Sequence, residues 1–94
     1  MSRVLALTDL AHAARDWRAE GAGIVLVAGC WDPLHAGHVQ HLRAAKAEGN
    51  VLVVSVAGDE QVREAKGPLR PRSPASHRAE VLAALRLVDA VVVN

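Results

Sequence analysis

Ninety-four residues, 51% of them hydrophobic, bound this chain to a single small domain, residues 1–94, whose core must be built from Val, Leu and Ala because Phe and Tyr are absent and Trp occurs twice. A formal net charge of +1 gives no reason to expect nucleic-acid binding, and no apolar run is long enough to cross a bilayer. The single cysteine, Cys30, excludes an internal disulfide; with no visible signal peptide, the chain reads as cytoplasmic.

In chain order, Thr8 is placed to cap a first helix, with Leu10, Ala13, Ala14 and Trp17 at helical spacing and Gly21 as its stop. Ile24 to Ala28 is a short apolar run of the kind that forms a strand buried on both faces of a parallel sheet. Val39, Leu42 and Ala45 predict one apolar face of a second helix that ends near Gly49. Val51 to Ala57 predicts a second strand, and Asp59 is placed to cap a short helix running to about Ala65.

Gly67 to Pro74 reads as a proline-stiffened loop. Ser73-Pro74 then resembles an N-cap followed by proline at the first helical position. Val81, Leu82, Leu85 and Val88 are expected on the buried face of that last helix, and Ala90 to Val93 is expected to form a third strand. The alternation predicts an α/β fold, with a Rossmann-like parallel sheet, flanking helices and right-handed crossovers.

The chemistry concentrates between the first strand and the second helix, in Gly29-Cys30-Trp31-Asp32-Pro33-Leu34-His35-Ala36-Gly37-His38. The first turn of a helix carries unpaired N–H groups and the positive end of its dipole, so it receives anions. Imidazoles at i and i+3 project from one side of such a turn. Gly37 is read as leaving room for a phosphate to approach the backbone. Asp32 is equally well read as a turn residue ahead of Pro33, and Cys30 as a small packed residue rather than a nucleophile.

A zinc reading of His35, His38 and His41 fails on geometry, because positions six apart lie about 120° apart around a helix; no metal site is assigned. Between Arg63 and Arg78 stand five basic residues (Arg63, Lys66, Arg70, Arg72, Arg78) and one acid, Glu64. That local charge of +4 and its prolines suggest an anion-facing loop, against the plainer reading of a solvated basic one.

The motif resembles the HxGH nucleotidyltransferase superfamily. Lys66-Gly67-Pro68-Leu69-Arg70-Pro71, then Arg78-Ala79-Glu80-Val81-Leu82-Ala83-Ala84-Leu85 and Val88-Asp89, are similar to the adenylyltransferase domain of ADP-heptose synthases, itself similar to glycerol-3-phosphate cytidylyltransferases. The resemblance covers nearly the whole chain from Leu5. It implies transfer of AMP from ATP to D-glycero-β-D-manno-heptose 1-phosphate with release of pyrophosphate. The alternatives are CTP with glycerol 3-phosphate or a similar acceptor, or a non-catalytic nucleotide-binding or association domain.

The resemblance also implies site residues. His35, His38 and Lys66 would act on the triphosphate, with a polar helix cap as the plainer reading of the two histidines. Gly29, Cys30, Trp31, Asp32, Gly37, Arg72 and Arg78 would bind substrate, with an exposed helix charge as the plainer reading of Arg78. Mg²⁺ would arrive on the nucleotide. Family domains continue with a Ser/Thr-rich motif that has no counterpart here, so the chain reads as C-terminally truncated relative to them. A sheet ordered 3-2-1 would leave Ile24–Ala28 as an open edge, from which a homodimer is expected.

Overall fold

The computed structural model describes residues 3–94. The elements follow as α1 (Leu7–Ala19), β1 (Ile24–Gly29), α2 (Ala36–Ala47), β2 (Val51–Val56), α3 (Asp59–Lys66), α4 (Ala75–Ala83) and β3 (Ala90–Val93). The strands form one parallel sheet in the order β1-β2-β3, with Ile24 opposite Val51 and Val53 opposite Ala90. Parallel neighbours need crossovers, which α2 supplies between β1 and β2, and α3 with α4 between β2 and β3. The expected Rossmann-like order is present.

Strand alternation divides the core between the two faces of the sheet. Leu52, Val54 and Val56 of β2 pack with Leu42 of α2, Ala79 and Leu82 of α4, and Trp31, Val88 and Val91. Val51, Val53 and Ala90 point the other way, where Leu10 and Trp17 of α1 pack against them. That second face is only partly covered: Leu26 is 63% exposed and Leu7 72%.

The sheet's two edges differ. Beside β3, Val4 bridges Val91 in parallel, Leu5 N–H donates to the Val91 carbonyl and Val91 N–H to that of Arg3. Beside β1 no strand pairs among the described residues. The strand expected to be buried on both faces is thus an edge strand, and its apolar sequence does not protect it.

Several local expectations are corrected. Thr8 lies inside α1, whose N-cap is Ala6 with no side-chain cap. β2 ends at Val56, one residue before Ala57. Gly58, not Asp59, caps α3, and α3 runs to Lys66. Pro74, not Ser73, caps α4, which stops at Ala83. Leu85 and Val88 therefore lie beyond the helix, Val81 is exposed, and the buried face of α4 is Arg78, Ala79 and Leu82. Asp59 accepts the N–H of Ala75 (2.8 Å), tying the first turn of α4 to the start of α3. α1 behaves as expected: Leu10, Ala13, Ala14 and Trp17 form its half-buried face, and Gly21 ends it at φ +81°.

Candidate functional site

The carboxyl end of β1 runs directly into the histidine motif. Trp31 takes the left-handed conformation, φ +57°, uncommon outside glycine. It turns the chain and folds its indole inward, where Nε1 donates to the Ser55 carbonyl (3.1 Å) and the ring joins the core. Gly29 is needed beneath it, because a Cβ there would stand 3.0 Å from the indole. Trp31 therefore forms the floor of the site.

α2 begins with a reciprocal cap of the capping-box kind, made from two imidazoles. Nδ1 of His35 accepts the Gly37 N–H (3.1 Å), and Nδ1 of His38 accepts the His35 N–H (3.2 Å). The two rings lie 3.9 Å apart by centroid, and the His38 ring lies 5.3 Å from that of Trp31. With Nδ1 accepting, each neutral ring carries its proton on Nε2, so each keeps one N–H donor that the cap does not use.

Gly37 has a different reason from the one expected: a Cβ there would meet His35 Cε1 at 2.9 Å. The space over the helix end belongs to the folded-back imidazole. His38 is pushed below the ordinary histidine value by burial first, then by the charges of His35, His41 and Lys66. It is thus held neutral, as the tautomer argument requires.

These groups open onto a cleft of about 460 Å³ lined by Ala28, Gly29, Cys30, Trp31, His35, Gly37, His38 and His41. It lies at the carboxyl end of the edge strand and at the positive end of α2, where an anion is favoured. Lys66, at the end of α3, makes no hydrogen bond or ion pair with the described chain, and its charge is felt at His38. The Arg72 side chain is exposed; only its backbone N–H is engaged.

The remaining basic residues are employed otherwise. Arg70 donates through Nε to Asp32 (3.0 Å) and through Nη2 to the Asp32 carbonyl. Asp32, buried, also accepts the N–H groups of Arg72 (2.7 Å) and Ser73 (3.2 Å). Burial pushes its carboxyl up, but the hydrogen bonds from Arg72, Arg70 and Ser73 and the Arg70 charge together outweigh that, leaving it below the usual carboxylate value.

Arg78 is neither an exposed helix charge nor a lining group of the histidine cleft. It borders a smaller cavity of about 110 Å³ with Trp31, Asp32 and Ser73. Its guanidinium donates to the carbonyls of Ser73 (2.9 Å), Cys30 (2.7 Å) and Ala57 (2.7 Å) and to Asp59 (2.7 Å). The basic loop is therefore tied down from Arg70 to Ser73 and at Gly67, whose N–H donates to the Arg63 carbonyl (2.9 Å) and whose carbonyl accepts the Arg70 N–H (3.2 Å), while Leu69 between them is 89% exposed. Sequence reasoning missed this knot because three of the four acceptors of Arg78 are backbone carbonyls, which no residue pattern marks.

Among the described residues no group of three or more His, Cys, Asp or Glu side chains is placed to hold a metal ion, and no helix is long and apolar enough to cross a membrane. The cleft lining contributes no carboxylate, and a hard cation such as Mg²⁺ prefers oxygen donors. The lining does not fit a resident ion.

A parallel sheet with an anion-receptive helix end and two imidazole donors at its carboxyl edge defines a Rossmann-like α/β domain of the nucleotide-handling kind. The chain belongs to the Cytidylyltransferase-like family, which matches residues 26–94. It is 47% identical over 91 residues to the bifunctional protein HldE of Wolinella succinogenes, covering 97% of this chain and 19% of that protein. The HldE proteins of Alcanivorax borkumensis and Coxiella burnetii are 48% and 49% identical over 89 residues, again covering 95% of this chain and 19% of each relative. The chain thus spans about a fifth of the length of these curated relatives.

Among solved structures, a lipopolysaccharide core biosynthesis protein from Thermoplasma volcanium superposes with a TM-score of 0.74 at 31% identity, over 79% of this chain and 59% of that one. The family resemblance carried by Gly29–His38 and Lys66–Pro71 stands.

Proposed function

We propose that this domain transfers a nucleoside monophosphate from a nucleoside triphosphate to a sugar phosphate. The observation that carries the reading is the pair of imidazoles, His35 and His38, that line the cleft at the N-terminus of α2 with Nδ1 of each engaged in the cap and Nε2 of each left for a ligand. The acceptor phosphate needs no base, since its second pKa is about 6 and its oxygen is already deprotonated near neutrality. That oxygen attacks the α-phosphorus in line, the bond to the bridging oxygen breaks, and pyrophosphate leaves. The site's work is to hold two mutually repelling anions in line and to donate hydrogen bonds to the phosphoryl oxygens as charge shifts. Mg²⁺ would come bound to the nucleotide's phosphates.

The substrates proposed are ATP and D-glycero-β-D-manno-heptose 1-phosphate. Support comes from the Lys66-Gly67-Pro68-Leu69-Arg70-Pro71 segment and from the identity with the HldE proteins. A panel of ATP and CTP against heptose 1-phosphate and glycerol 3-phosphate, scored by pyrophosphate release, tests the reading. Release with ATP and the heptose phosphate alone is expected; release only with CTP and glycerol 3-phosphate moves the chain to the cytidylyl alternative.

A second reading of the cleft, beside which the β1 edge is unpaired among the described residues, is nucleotide binding without transfer. It predicts ATP binding by calorimetry with no pyrophosphate formed. The same edge supports association of the 94-residue chain as a symmetric dimer, which light scattering reads directly.

A further inference from the structure

We propose that Arg78 is a positioning residue for the transfer, locking the turn that carries His35 and His38 to the loop that follows Lys66, with Asp59 orienting its guanidinium. The proposal rests on the nucleotidyl-transfer reading of the cleft.

Arg78 has five N–H donors in a rigid planar fork. Four are matched: Nε to the Ser73 carbonyl, Nη1 to those of Cys30 and Ala57, and Nη2 to Asp59, all between 2.7 and 2.9 Å. Its side chain is 2% exposed. Cys30 directly follows β1 and Ala57 directly follows β2, and the Ala57 N–H donates to Gly29 (2.9 Å). The fork therefore joins the carboxyl ends of two adjacent strands, the sites from which the motif turn and α3 depart.

Ser73 completes the connection. Its carbonyl is held by Arg78 and its N–H by the carboxylate of Asp32, which also takes Arg72 N–H and Arg70 Nε. The loop is thus gripped by a buried cation on one side of Ser73 and a buried anion on the other, and both grips end on the motif turn, at Cys30 and Asp32. The histidine turn and the loop after Lys66 cannot shift independently. In-line transfer is sensitive to this, because a misplacement of about 1 Å can cost on the order of a hundredfold in rate. A lysine could not substitute: three donors on one atom do not reach four acceptors spread around a fork.

The experiment compares Arg78→Lys and Asp59→Asn in the full chain. Three quantities are read: the imidazole NMR signals of His35 and His38 without ligand, kcat and KM for pyrophosphate release, and the affinities for ATP and adenosine. Positioning predicts shifted imidazole signals in Arg78→Lys. It predicts kcat lowered roughly tenfold to a hundredfold, with little change in KM and equal, small losses for ATP and adenosine. Asp59→Asn keeps the three carbonyl bonds and moves the same readouts less.

A selective loss of ATP affinity with unmoved imidazole signals would make Arg78 a phosphate ligand and overturn the proposal. So would unchanged signals and kcat in both variants. Where Arg78→Lys fails to fold, Asp59→Asn decides by the same criteria. Absence of pyrophosphate release from the wild-type chain would count against the transfer reading instead, and the imidazole signals would still decide whether Arg78 sets the histidine turn.

Discussion

Two cations twelve residues apart contrast a side chain left open with one used by the fold. Lys66 ends α3 in the open, without a partner in the described chain, and its charge reaches His38. Arg78 lies buried in α4 with four donors committed to three carbonyls and a carboxylate. In the sequence both sit in one basic stretch and both match motif positions. The difference is burial: a buried guanidinium must have its N–H groups satisfied, and here the carbonyls of Cys30, Ala57 and Ser73 and the carboxylate of Asp59 engage four of them before any ligand arrives. Lys66 keeps its donors available, and the knot behind the cleft commits those of Arg78.

The largest test of that contrast is stability. Arg78→Met leaves the carbonyls of Cys30, Ala57 and Ser73 without their donor, and should cost about 3–5 kcal/mol, the usual loss on breaking a buried charged network. Lys66→Ala should stay within roughly 0.5 kcal/mol, as exposed substitutions do. Urea unfolding of the two variants measures both. Equal losses would erase the distinction between the knot and the cleft.

Next in size is the rate effect of the histidines. Replacing His35 or His38 with Ala should lower turnover on the order of a hundredfold or more, with a smaller effect on nucleotide affinity. Each change also removes half of the imidazole cap of α2, so a stability loss of about 1 kcal/mol should accompany it. Normal pyrophosphate release from the double variant would remove the cleft from the chemistry. A smaller effect is expected of Lys66→Ala on binding: ATP affinity should fall by about 1 kcal/mol or less, adenosine affinity should not change, and salt should shrink the difference. Calorimetry at two salt concentrations reads it; equal losses for ATP and adenosine would place Lys66 with Arg78.

How far the sequence reaches follows the same line. Runs such as Val51–Val56 announce strands because all of their residues but Ser55 are apolar, and the parallel order follows from the crossovers. The histidine motif announces its own place because a strand precedes it and a helix follows. What stays hidden depends on partners far apart in the chain. Asp59 reads as the cap of its own helix but takes Ala75 N–H, sixteen residues on, and so ties the first turn of α4 to the start of α3. Gly37 reads as room for phosphate, but the room holds the His35 ring. Arg3–Leu5, which cover the β3 edge, leave no pattern at all because three residues are too few for one.

The smallest effect is a pH dependence that assigns one window to each region. His38 is held below its ordinary value of 6.5, chiefly by burial and then by the charges of His35, His41 and Lys66. The unfolded chain therefore takes up that proton first as pH falls, so the stability from a neutral, capping His38 is present above about pH 6.5 and is lost from there down to its folded value. Asp32 is held below 3.8, because its hydrogen bonds to Arg72, Arg70 and Ser73 together outweigh burial. Its contribution is present above that value and is lost as pH falls through the lower folded one. Stability should thus decline in two steps on acidification, the upper belonging to the cleft and the lower to the knot. His38→Asn should flatten the upper step alone, and Lys66→Ala should shrink it by removing one of the charges that depress His38. Arg70→Ala should shrink only the lower step. Urea unfolding at intervals from pH 8 to 3 resolves the two; an upper step that survives in His38→Asn would assign it to another histidine and unlink it from the cleft's cap.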